Sequence, residues 1–168
     1  MKLRRLKDVP FEVAQLLANN QNIVRLLYDD SPSVLITKNN LDIDVNTLIE
    51  ENYIGFYPAS ETGIEDVNKN TFIIINLEDF NLQNTDNNTS VSGAVYITTD
   101  KAHCLLSNGK LRLLELADEV DNALDGQKIS AAGQIRVTSI NYIVFSDFRC
   151  GYRVNFRLND QQIRKAEL

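Results

Sequence analysis

Tyr152-Arg153-Val154-Asn155-Phe156-Arg157-Leu158 alternates apolar and polar side chains without a break. A strand turns successive side chains to opposite faces, so this run predicts an antiparallel strand with one face on a core and the other wet. Working outward, Gly133 to Phe145 contains further alternating stretches, and Phe148-Arg149-Cys150-Gly151 falls near the turn between the two segments. Together they predict a terminal hairpin. Just upstream, Leu113, Leu116, Ala117, Val120 and Leu124 fall on one stripe of a helix over about 110–125. Arg112, Glu115, Asp118, Glu119 and Asp121 lie on its other side. Gly126 sits where a C′ glycine ends such a helix.

Further toward the N-terminus, Thr71 to Leu77 is short, apolar and β-branched, which predicts a central strand, and Val91 to Thr98 predicts another. Between them, the window 81–90 is the most polar of the chain and predicts an exposed loop that orders on meeting a partner. Val34-Leu35-Ile36-Thr37 predicts a strand, Asn46 to Glu51 a short helix, Tyr53 to Pro58 an extended segment, and Gly63 to Asn70 a loop. Val13, Leu16, Leu17, Ile23, Val24 and Leu27 recur near helical spacing after Asp8, a candidate N-cap, and Pro10. Asn19-Asn20-Gln21-Asn22 interrupts them, either as a solvated face or as a break between two helices. Asp29-Asp30-Ser31-Pro32 ends the element. Strands outnumber helices and do not alternate with them regularly. The expected class is therefore α+β, a mostly antiparallel sheet flanked by an N-terminal helix and a second amphipathic helix.

With 168 residues, 43% of them hydrophobic, the chain is expected to form one domain over 1–168. An N-terminal arm (1–8) and a polar C-terminal tail (159–168) would flank it. The net charge of −6 argues against a dedicated nucleic-acid binder, because an acidic surface repels phosphates. No apolar run approaches the roughly 18 residues of a membrane helix, so no membrane partner is expected. The basic start Met1 to Lys7 leads into an acidic, Pro-containing segment rather than an apolar core, unlike a secretory signal. Cys104 and Cys150 lie far apart in sequence and read as small buried hydrophobes rather than as disulfide partners.

Reactive groups do not converge in the sequence. His103 is the only histidine, and in an extended chain its neighbour Cys104 would point the other way. With only three His and Cys residues in all, a zinc site lacks ligands. Asp42, Asp44, Asp118 and Glu119 offer carboxylates outside any calcium-loop pattern and read as solvated surface. No phosphate-binding glycine loop and no nucleophile elbow occur. The expectation is a protein without enzymatic activity. Lys2, Arg4, Arg5 and Lys7 could instead dock on an acidic neighbour, although an ordinary exposed N-terminus explains them equally well. The row Arg153, Asn155 and Arg157 could face acidic groups or a DNA-conducting channel, although a solvent-facing edge strand explains it equally well.

The helix from Lys110-Leu111-Arg112 to Asp125-Gly126, and the hairpin closing with Gly151-Tyr152-Arg153-Val154-Asn155-Phe156, resemble the tail-terminator and neck proteins of tailed bacteriophages. Gln21-Asn22-Ile23-Val24-Arg25-Leu26-Leu27 is similar to the N-terminal helix of phage neck proteins. The stretch from Asp42 to Asn70 departs from the shorter family members. The resemblance implies a virion protein assembled in the host cytoplasm, a homohexameric ring that stops tail-tube polymerisation and docks the head-side connector. Such a ring uses head-to-tail interfaces between copies. It needs no cofactor and would contact DNA only passively in its lumen. On this view Arg4, Arg5, Asn84, Asp86, Asn88, Arg112, Arg153 and Arg157 are candidates for subunit interfaces. Alternatives are a head-completion or connector protein on the portal, a carboxylate-dependent metal enzyme using Asp42, Asp44 or Asp118, and an adaptor for a host protein.

Overall fold

Short side chains that compete with the backbone decide where the helices of this chain begin. The computed structural model describes residues 7–37, 40–56, 67–81, 90–129 and 133–159. Helix α1 spans Val9–Ala18 and α2 spans Gln21–Tyr28, so the asparagine cluster is a break. Asn20 makes it one: its side-chain oxygen accepts from the backbone N–H of Asn22 (2.9 Å) and Ile23 (3.3 Å), restarting the helix. Asp8 occupies the corresponding position before α1 but makes no capping hydrogen bond, contrary to expectation.

Val34–Thr37 is not a strand but the helical turn α3. Asp29 Oδ1 accepts from the Ser31 N–H (2.8 Å), Ser31 Oγ from the Ser33 N–H (3.2 Å), and the Ser33 carbonyl from the Ile36 and Thr37 N–H groups. This local turn chemistry winds the chain before β-branched preference can act. Helix α4 spans Val45–Glu50, with Asp44 as its N-cap on Thr47. Of the extended segment expected at 53–58, the pair Ile54–Gly55 forms strand β1, and 57–58 lie outside the described residues.

Strands β2 (Thr71–Asn81) and β3 (Ser90–Asp100) are longer than their apolar cores predict. Helix α5 follows at Arg112–Leu124, then β4 (Lys128–Ile129), β5 (Gly133–Val144) and β6 (Arg149–Asn159). The sheet runs β1-β2-β3-β6-β5-β4, antiparallel except for the β1–β2 pair, which confirms the expected α+β class. β6 therefore lies in the interior of the sheet, hydrogen-bonded to β3 and β5. The edge-strand explanation of its polar row does not hold. Its alternation instead reflects two different faces.

The helices cover one face. Leu17, Ile23, Leu27, Leu116, Val120 and Leu124 meet Ile73, Ile75, Val95, Ile97, Val154 and Phe156 there, all fully or almost fully buried. Each such aliphatic side chain contributes roughly 1.5–3 kcal/mol by leaving water. On the opposite face only a small cluster forms, in which Val67, Tyr96 and Phe145 pack on Phe72 and Ile74. Among the described residues the rest of that face is mostly polar, with Ala94 and Ile143 as apolar members.

Candidate interaction surface

The helix-free face gathers side chains from four strands, because cross-strand partners share a face. Register pairs Tyr96 with Arg153, Arg153 with Asn141, Asn155 with Ser139, and Arg157 with Arg136. At the cluster end, Arg149 pairs with Asp100 (3.2 Å), donates to the Lys69 carbonyl (2.9 Å) and lies over the Phe72 ring. In mid-sheet, Arg153 is ion-paired with Glu78 and lies over the Tyr96 ring, while the Tyr96 hydroxyl donates to Glu78 Oε1 at 2.6 Å. Asn155 and Asn141 both donate to Ser139 Oγ, at 2.9 and 3.1 Å. Toward the 82–89 connection, exposed Arg157 stands directly opposite exposed Arg136. Arg136 reaches Asp125 only at 4.0 Å. Two like charges in one register position repel. An acidic group bridging them would relieve that repulsion through charge-assisted hydrogen bonds.

Burial, reinforced by the bond to Glu78, pushes the Tyr96 hydroxyl up to about 12 from an ordinary value of 10.0. Its folded-state pKa thus exceeds its unfolded value. Its contribution to stability is whole below pH 10 and is lost as pH rises toward 12. Cys104, pushed up to about 11 chiefly by burial, acts in the same direction. Tyr96→Phe is expected to flatten the loss of unfolding free energy above pH 10, measured by urea unfolding from pH 9 to 12. An unchanged slope would contradict the assignment.

A second surface adjoins the first. β4 pairs with β5 only at Gly133 and Gln134, and no described strand lies along β5 from Arg136 to Val144. Thr138 to Phe145 carries no charge. Ile140, Tyr142 and Val144 share the core face with Val154, Tyr152 and Cys150, yet extend past the helices and are 42%, 58% and 60% exposed. Phe148, in the turn to β6, is 78% exposed. The ladder groups along this edge, with apolar side chains beside them, form a template for another chain.

Among the other predicted residues, Arg112 is corrected most sharply. Helical spacing places it on the polar side, but it is fully buried and unavailable to a partner. Arg153 and Arg157 lie on the helix-free face as described. Arg4, Arg5, Asn84, Asp86 and Asn88 lie outside the described residues, as do the interior of the polar loop (82–89) and the tail from 160. Asp44 caps α4, Asp42 and Asp118 are exposed, and no cluster of three or more His, Cys, Asp or Glu side chains suited to a metal occurs among the described residues. Glu119 is more than solvated surface: it accepts from Asn20 Nδ2 (2.8 Å) and Asn22 Nδ2 (2.6 Å), tying α5 to the α1–α2 break. Sequence reasoning missed Arg136, whose place opposite Arg157 depends on register. It also missed the meeting of Cys104 and Cys150, whose sulfurs lie 3.8 Å apart.

A protein-family model described as YomW matches residues 20–158, which takes in every element from α2 to β6. No curated protein matches the chain.

Proposed function

This chain belongs to the YomW family, a phage-type (Bacillus SPbeta-like) protein family, and on that premise we propose that it is a structural virion protein working through assembly rather than turnover. The finer reading is a tail-terminator or neck subunit. Copies form a ring, a hexamer by the resemblance set out above, between the tail tube and the head-side connector.

The observation that carries this reading is the open, uncharged flank of β5. A chain of net charge −6 that leaves eight uncharged residues along a sheet edge with no described strand beside it, and with Ile140, Tyr142, Val144 and Phe148 exposed there, has a ready contact surface for protein. The edge supplies backbone hydrogen bonds and the side chains supply apolar area, the combination used in strand addition. The Arg136–Arg157 pair supports the same reading, since it suits carboxylates of an adjoining acidic subunit.

Light scattering and negative-stain imaging of the purified chain, alone and mixed with tail-tube protein, test the proposal. The expected result is a closed ring. A twelve-fold ring on the portal would move the protein to the connector layer, and a monomer under both conditions would overturn the reading. Ile140→Lys combined with Val144→Lys is expected to weaken self-association by about 10- to 100-fold, the scale of losing one or two anchoring contacts. Far-UV circular dichroism should stay unchanged, because both side chains are already exposed. Undiminished assembly of this variant would remove the β5 flank from the interface.

A further inference from the structure

Cys104 and Cys150 stand 46 positions apart in sequence, yet Cys104 Sγ lies 3.8 Å from Cys150 Sγ, in van der Waals contact. The backbone holds them there. Cys150 sits in β6 opposite Thr99 of β3 and Val144 of β5. Cys104 closes the short 3₁₀ turn Lys101–His103 that leaves β3, and its carbonyl accepts the Arg112 N–H at 2.7 Å. The two segments are clamped beside the cysteines by the Lys101 N–H to Phe148 carbonyl bond (3.0 Å) and by the Asp100–Arg149 ion pair (3.2 Å). The sulfurs thus stand within about 2 Å of bonding distance. Disulfide formation requires them to close from 3.8 Å to about 2 Å.

We propose that Cys104 and Cys150 form a dithiol–disulfide site, closed by a small-molecule disulfide oxidant, that staples the β3–α5 connection to β6. Cys104 is half-buried and Cys150 buried, so Cys104 meets the oxidant first. Its thiolate attacks one sulfur of the oxidant, the oxidant's S–S bond breaks, and one small thiol leaves. The Cys150 thiolate then attacks the Cys104 sulfur of the mixed disulfide, displacing the second small thiol. The protein loses two protons and two electrons, and one oxidant disulfide becomes two thiols. Because the link closes a loop containing α5, β4 and β5, it removes more unfolded-state freedom than a local link would. This inference stands apart from the assembly reading and survives its failure.

The test incubates the chain with excess oxidised glutathione and follows intact mass, thiol count under denaturing conditions, and melting. The expected product has lost two hydrogens, carries no titratable thiol, migrates as a monomer without reductant, and melts about 5–10 °C higher. Dithiothreitol should reverse all four changes. Cys150→Ser should stop at a single glutathione adduct on Cys104, because the resolving thiol is gone. Doubly glutathionylated protein, intermolecular dimers, or two thiols surviving the oxidant would each overturn the proposal.

Discussion

Arg112→Met is expected to lower the unfolding free energy by about 3–5 kcal/mol, a large part of the roughly 5–15 kcal/mol that holds a domain together. The guanidinium, fully buried, donates through Nη1 to the carbonyls of Leu26 and Asp29 (both 2.8 Å), through Nη2 to Ser31 (2.9 Å) and through Nε to His103 (3.1 Å). Leu26 belongs to the last turn of α2 and Asp29 follows it, so Arg112 satisfies carbonyls that the helix end leaves without partners. Burial lowers the arginine pKa, and nearby Asp30 and Asp29 counter that effect, so the charge is retained. Methionine fills a similar volume but takes the donor from the buried or half-buried carbonyls of Leu26, Asp29 and His103, each costing on the order of 1 kcal/mol or more, while the Ser31 carbonyl keeps the Val34 N–H at 3.2 Å. Arg112→Lys keeps the charge, but its compact ammonium cannot span four acceptors, and about half the loss is expected. Urea unfolding followed by circular dichroism reads both. A Met variant within 1 kcal/mol of the parent would refute this account on the scale of a typical single hydrogen bond.

Gly151→Ala should come next, at about 3 kcal/mol, the upper end of overpacking costs. A methyl group there would run into the carbonyl oxygen of Ile97 on β3 and lie 3.1 Å from the Phe145 ring. The obstacle is backbone in mid-sheet, so relief requires prising β3 from β6. Gly126 makes a useful contrast. Its φ of +79° favours glycine, but an added methyl group would meet nothing closer than Gln134 Nε2 at 3.8 Å. Gly126→Ala should therefore cost only about 1–2 kcal/mol, the left-handed penalty alone. Thermal melts of the two variants should separate clearly. Equal shifts would mean that the close approach at Gly151 is absorbed by the sheet.

These residues also mark how far the sequence could be read. Strict alternation at 152–158 identified β6, and the Leu113-to-Leu124 stripe identified α5 within two residues of its start. Both patterns report local geometry, period two in one case and about 3.6 in the other. Val34–Thr37 misled, because four β-branched and aliphatic residues look like a strand while the preceding Asp29, Ser31 and Ser33 wind a turn. Arg112 misled differently. Its helical position was read correctly to within the helix, but a long side chain in a first turn reaches back to carbonyls more than eighty positions earlier.

The sequence by itself determined the α+β class, the two-faced character of β6 and the amphipathic stripe of α5, because each follows from contacts between near neighbours in the chain. Only the tertiary structure placed β6 between β3 and β5, set Arg136 against Arg157, left the β5 flank with no described strand beside it and brought Cys104 to Cys150. Strand order and register depend on which distant segments bury area together. No local period in the chain encodes that choice.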